Sequence, residues 1–301
     1  MTSRSNEVPE EAATADGAAS GPDLARETFD MLGWHVAVGA SSDQALDAAR
    51  NLLRGFGPIA AKADADLPRY DLTQTPEGTW EVRVGGEVVG TGDNLDLALD
   101  SLDYLLITGA LERRDDIFQL HGAALCTPTR RAGIVLVGES GVGKTTLTLG
   151  LMLSGFVPFT DDVALLEPTT LNLQPLRRAF HVNDETWSLI EGLSGPLARE
   201  QDLPSGHFMP PQWAESPVPV RWIVLLDRSS SSQPRLAPVS QAAAATAMLG
   251  QSMSVRRVAR VALRATARLT EQARCYRLVT GDLATSINAI KELVAAPDAG
   301  A

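Results

Sequence analysis

Three groups of side chains in this sequence have the types and spacing for chemistry on a phosphate. The first is Gly138-Glu139-Ser140-Gly141-Val142-Gly143-Lys144-Thr145, a complete GxxxxGK[ST] pattern. Its glycines let the backbone wrap a phosphate without Cβ clashes. Successive N–H groups, backed by a helix N-terminus, aim positive partial charge at the anion. Lys144 would meet the β- and γ-phosphates of a nucleoside triphosphate and Thr145 would place its hydroxyl on Mg²⁺, with Thr146 completing the nucleotide-binding candidates. The context agrees: Ile134-Val135-Leu136-Val137 reads as a strand and Thr145 to Leu149 as the opening of a helix.

The second group is Asp161-Asp162, inside the otherwise apolar run Phe156 to Leu165 and only 17 and 18 residues after Lys144. A short helix leading straight into an acidic strand brings both carboxylates back to the phosphate loop. One can hold Mg²⁺, directly or through water; the other can orient an attacking hydroxyl or accept its proton. The third group flanks these. His121 lies in Phe118-Gln119-Leu120-His121-Gly122-Ala123-Ala124-Leu125, ahead of the loop, and Arg177-Arg178 lie behind the acids. The arginines either bring positive charge to a transferring phosphoryl group or an acidic substrate, or stand as a solvated pair on a strand edge.

The elements that must position these groups are legible in outline. Strands are expected over 118–126, 133–137 and 156–166, with a helix from Lys144 to about Ser154 between the last two. Trp222 to Leu226 is a buried strand, Cys275 to Leu278 a short one, and helices fit 240–250, 254–271 and 282–295. The Pro- and Gly-rich stretch 192–220 reads as loop. Upstream, Ser42 can cap a helix through Leu53, and Thr79 to Val84 and Glu87 to Val89 form a hairpin on a Gly85-Gly86 turn. Asp93 or Asn94 opens a helix to about Leu111, with Leu95, Leu97, Leu99, Leu102, Leu105 and Leu106 on one buried face. This divides the chain into an acidic tail over 1–22 that reads as disordered, a small α+β unit over 23–115 and a P-loop unit over 116–297. The class is α/β, as an α+β mixed sheet.

Composition sets bounds. With 301 residues, 44% hydrophobic and 21% charged, the chain can bury one large core or two smaller ones. A net charge of −11 argues against a dedicated nucleic-acid or anionic-membrane binder. No apolar run reaches the roughly 18 residues of a membrane span, and Met1 to Arg26 lacks the layout of a signal peptide. Two cysteines force no disulfide framework. A soluble, cytoplasmic protein is expected. His181 and His207 have no metal-type spacing with any Cys or Glu, and Arg256, Arg260, Arg264 and Arg268 read as the solvated face of a helix.

The succession LHGAAL, GIVLVGESGVGKTTL, GFVPFTDDVAL resembles the catalytic domain of HPr kinase/phosphorylase. It is closer still to the HPr-kinase-related kinases found beside peptide-modification genes, lasso-peptide genes among them. The resemblance covers about 118–295 and takes in the hydrophobic strand at 222–226 and the CYRL segment with its following Gly281-Asp282-Leu283. It implies the P-loop fold of phosphoenolpyruvate carboxykinase, ATP and Mg²⁺ as cofactors, Asp161 as base or hydroxyl-orienting acid, Asp162 as Mg²⁺ ligand and His121 near the γ-phosphate. A homo-oligomer is an implication of the same resemblance alone. The glycine- and arginine-containing signature that follows the acids in true HPr kinase/phosphorylases is replaced here by Arg177-Arg178-Ala179-Phe180-His181-Val182. The resemblance therefore does not extend to HPr as substrate or to the phosphorylase reaction. The expected activity is transfer of the γ-phosphoryl group to a hydroxyl of a peptide, protein or small molecule. The competing reading is a nucleotide-sensing module, for which the acid pair would be superfluous. A decarboxylating phosphotransferase would need a second metal and an Arg/Lys array that the sequence does not assemble.

Overall fold

The computed structural model describes residues 24–60, 67–193, 195, 197–200, 202–228, 232–253 and 255–296; the tail over 1–22 lies outside them. The fold is mixed α/β. A five-stranded sheet is built from β1 (Ala25–Met31), β2 (Trp34–Ala40), β3 (Arg69–Gln74), β4 (Trp80–Val84) and β5 (Glu87–Gly92), in that spatial order. Between β2 and β3, which are parallel, runs α1 (Asp43–Leu53), started by the Ser42 side chain accepting from the Ala45 N–H at 3.2 Å. The expected hairpin is β4–β5, turning through Gly85 and Gly86 at φ 60° and 91°. Asn94 caps α2 (Leu95–Glu112) by accepting from the Leu97 N–H.

The second sheet carries the glycine-rich loop of residues 138–145. Its strands are β6 (Phe118–Cys126), β7 (Gly133–Val137), β8 (Val157–Thr160), β9 (Val163–Leu166), β10 (Asn172–Gln174), β13 (Val218–Arg228), β14 (Arg235–Pro238) and β15 (Arg274–Thr280). The order is β10-β9-β6-β7-β13-β15-β14, with β8 also paired to β6. Strands β7, β13 and β15 run parallel, whereas β6 is antiparallel to β7 and β14 to β15. A two-stranded antiparallel pair, β11 (Phe180–His181) with β12 (His207–Phe208), stands apart. The remaining helices are α3 (Lys144–Met152), α4 (Asp184–Glu191), α5 (Gln241–Gly250), α6 (Val255–Gln272) and α7 (Leu283–Ala295).

The central strands read as continuous apolar runs because helices cover both faces. Side chains alternate between the faces. Ile134, Leu136, Trp222, Val224 and Leu226 pack with Leu147 and Leu151 of α3 and Ile287 and Ile290 of α7. Val135, Val137, Ile223 and Leu225 face Ala244 and Met248 of α5 and Ala262 and Leu269 of α6. Each fully buried leucine or valine here contributes about 1.5–3 kcal/mol. On α6 the described arginines Arg260, Arg264 and Arg268 are exposed, as expected of a solvated face, and Arg268 also donates to the Pro168 and Thr169 carbonyls.

The α2 helix links the two sheets. Its buried face includes Leu99, Leu102, Leu106 and Ala110, and its apolar cluster continues into Val163 and Leu165 of β9 and Leu176 beyond it. Two expectations are corrected. Leu97 is 46% exposed and lies off the buried face, while Asp103 takes a place on it. The expected single strand over 156–166 is two strands, β8 and β9, both laid along β6, and Asp161 and Asp162 occupy the break between them.

Candidate active site

The loop between β7 and α3 follows from local chemistry. Gly141 and Gly143 stand at φ 79° and 102°, a left-handed region that side chains avoid, and Gly143 is the N-terminal cap of α3. The helix thus begins at Lys144 with its free N–H groups directed into the loop. The Lys144 ammonium donates to the loop's own carbonyls, Gly138 O at 2.8 Å and Glu139 O at 3.1 Å. Burial lowers its pKa, against the pull of Asp162 and Asp161.

The break between β8 and β9 puts the acids beside this loop. Thr145 Oγ1 donates to Asp161 Oδ2 at 2.9 Å. Asp162 turns to the other side: its Oδ1 is 3.1 Å from His121 Nδ1 and its Oδ2 accepts from Arg178 Nη1 at 3.0 Å. The backbone holds the pair in place, the Gly122 N–H donating to the Asp162 carbonyl at 2.8 Å. His121 Nε2 lies 3.1 Å from Lys144 Nζ. An ammonium only donates, so Nε2 accepts and Nδ1 carries the proton given to Asp162. A hydrogen-bonded row thus runs from Lys144 through His121 and Asp162 to Arg178. It borders a cavity of about 790 Å³ whose walls also include Ser140 to Thr146 and, opposite, Thr280 to Leu283.

The arginine pair divides. Arg178 is largely buried and lines the cavity, whereas Arg177 is exposed and outside it. Holding Arg178 is a residue that the sequence reading passed over. Asp103 of α2, 1% exposed, accepts from Arg178 Nε at 2.8 Å. Burial would raise the Asp103 carboxyl, but His181 and Arg178 together hold it below its ordinary range. The signal was present: Asp103 sits four residues after Leu99 and three before Leu106, on the core-facing side of a helix where a carboxylate must have a partner.

The two acids are electrostatically unlike. For Asp162, burial acts upward, but His121 and Arg178 outweigh it and the pKa falls. For Asp161, burial and then the Asp162 charge push it up to about 7. Its unfolded counterpart titrates near 3.8. The charged carboxylate therefore destabilises the folded, metal-free chain above pH 7, and that penalty fades as pH falls through 7 and the group takes a proton. Asp161→Asn, neutral throughout and still able to accept from Thr145, is expected to melt about 2–6 °C above the parent at pH 8 without divalent cations. At pH 5.5 the gain should shrink to roughly half, closing only as the pH approaches the 3.8 of the unfolded carboxyl. A gain equal at both pH values, read by thermal denaturation, would refute this assignment.

The residues fit Mg²⁺. Thr145 Oγ1 and the Asp161 carboxylate meet, Asp162 adjoins them, and all are hard oxygen donors. A buried carboxylate whose charge lacks full compensation is what a divalent cation would complete. The contacts pair Thr145 with Asp161, whereas the resemblance would give the metal to Asp162. Among the described residues no helix is long and apolar enough to cross a membrane. No family model matches the chain, and no curated protein matches it either.

Proposed function

We propose that this chain is an ATP- and Mg²⁺-dependent kinase that transfers the γ-phosphoryl group to a hydroxyl of a peptide, protein or small molecule, on a P-loop fold of the HPr-kinase-like type. The observation that carries the reading is the row Lys144–His121–Asp162–Arg178 beside the Thr145–Asp161 contact, all on one cavity. A pocket that only bound nucleotide would have no use for a second, solvent-reachable carboxylate in this row. Gly138 to Thr146 hold the triphosphate through loop N–H groups and the Lys144 ammonium. Thr145 and Asp161 hold Mg²⁺, which when bound neutralises phosphate charge.

Asp162 orients the acceptor hydroxyl and takes its proton. Its side chain is 39% exposed toward the cavity, and His121 and Arg178 keep it ionised. His121 fixes the carboxylate's direction by donating from Nδ1. Arg178 brings a fixed positive charge beside the reacting groups. The roles of the two acids are thus the reverse of those implied by the family resemblance, with Asp161 on the metal and Asp162 on the acceptor.

The test is transfer of label from γ-labelled ATP into fractionated peptide and small-molecule acceptors. The parent should form an acid-stable phosphate ester. Lys144→Ala and Asp161→Asn should each lose at least about 100-fold of the incorporation. Equal incorporation by all three proteins would refute the reading.

A further inference from the structure

Beside the phosphate site, where His181 lines the cavity wall, one cluster of polar groups includes buried atoms that make no hydrogen bond. His181 and His207 face each other directly across the β11–β12 pair, their rings 4.3 Å apart and tilted by 55°. The α2 helix brings Asp100 against them. The His207 side chain has 0% exposure, yet neither of its ring nitrogens makes a hydrogen bond. The Ser205 backbone also lies near the ring and acts on it electrostatically. Asp100 Oδ1, 3.4 Å from His207 Nε2, is also buried and without a hydrogen bond. Buried imidazole nitrogens and carboxylate oxygens are almost always hydrogen-bonded, whereas here the two meet only as a 3.4 Å ion-pair contact.

We infer that Asp100, His181 and His207 form a binding site for a borderline divalent cation of the Zn²⁺ class, tying α2 to the β11–β12 pair. One ligand atom from each lies within 4.8 Å of the others. Tetrahedral coordination at Zn–N and Zn–O bonds of about 2.0–2.1 Å sets ligand atoms about 3.3 Å apart. The Asp100–His207 separation already fits. His181, half-exposed, has the freedom to close the remaining gap and leaves the fourth position to water. Two imidazoles and one carboxylate select Zn²⁺ and its neighbours over Mg²⁺ or Ca²⁺. The cation would accept the lone pairs that His207 and Asp100 now leave unused. The supporting shell is present: Asp103 Oδ2 lies 3.9 Å from His181 Nε2, and Asp96 on the same helix accepts from the Ser205 N–H at 3.1 Å, fixing the segment that leads into β12. The inference stands independently of how the phosphate loop is read.

The experiment titrates the full-length, chelator-treated chain with Co²⁺ and then Zn²⁺, with millimolar Mg²⁺ present throughout to occupy hard-oxygen sites. One Co²⁺ per chain is expected, with the visible absorption of a four- or five-coordinate nitrogen–oxygen site, displaced by one Zn²⁺. Loss of a supporting residue typically weakens such sites 10- to 100-fold, so loss of a ligand in His207→Ala or Asp100→Asn should weaken uptake by about 100-fold or more. Asp161→Asn should leave it unchanged. Circular dichroism checks each fold; if His207→Ala does not fold, the more exposed Asp100→Asn and His181→Ala decide. No uptake by the folded parent at micromolar Co²⁺ or Zn²⁺ would overturn the inference. So would uptake that Asp100→Asn and His181→Ala leave intact.

Discussion

Asp162→Asn is expected to lower the turnover of phosphoryl transfer by about 10²- to 10⁴-fold while the Mg²⁺ concentration needed for half-maximal rate stays close to that of the parent. The amide keeps the shape of the side chain but has a single acceptor oxygen, so it holds Arg178 or His121 and not both; the loss reports the negative charge that would orient and deprotonate an acceptor hydroxyl together with that contact. Asp161→Asn should divide the other way. It removes the carboxylate that Thr145 contacts, and the rate should recover in large part when Mg²⁺ is raised well beyond the parental requirement. Initial rates across an Mg²⁺ series separate the two. If Asp162→Asn is rescued by Mg²⁺ and Asp161→Asn is not, the roles must be exchanged back.

Asp103→Ala is expected to cost about 3–5 kcal/mol, the usual penalty for removing one partner of a buried ion pair. For a chain of this size that is a fall of about 6–15 °C in melting temperature. Arg178 would be left largely buried, with Asp162 as its remaining ionic partner. Asp103→Asn, which can still accept from Arg178 Nε, should lose clearly less. The effect should also reach the rate, because Arg178 would shift toward the acid it now steadies from one side. Thermal melts of the parent and both variants check this, and an Asp103→Ala protein melting within 2 °C of the parent would contradict it.

Local chemistry was readable from the residues themselves. The glycine-rich motif declares itself through eight consecutive positions with a strand before and a helix after, and the observed α3 begins at its lysine. The β4–β5 hairpin and the starts of α1 and α2 were equally legible, since turn and cap chemistry acts over three or four residues. Features set by distant partners were not. Strand β3 pairs in parallel with β2 across α1, and β14 lies at a sheet edge, neither of which single-strand periodicity marks. The break at Asp161–Asp162 depends on how β8 and β9 share β6, which no run of apolar residues announces. Arg177 and Arg178 are neighbours in sequence, yet only the side facing α2 found a buried carboxylate. The meeting of His181, His207 and Asp100 likewise arises from a cross-strand pair and a helix more than 70 residues away, so no ligand spacing could foretell it.

The central claim is that the acids beside the loop serve phosphoryl transfer and not nucleotide binding alone. The most direct measurement compares nucleotide affinity with release of the γ-phosphoryl group, using γ-labelled ATP and Mg²⁺, with water as the default acceptor where no better hydroxyl is supplied. The account expects Asp162→Asn to bind Mg·ATP within a few-fold of the parent by calorimetry while its label release falls by about 10²- to 10⁴-fold. Equal label release by parent and variant, at equal affinity, would contradict it and leave only a nucleotide pocket.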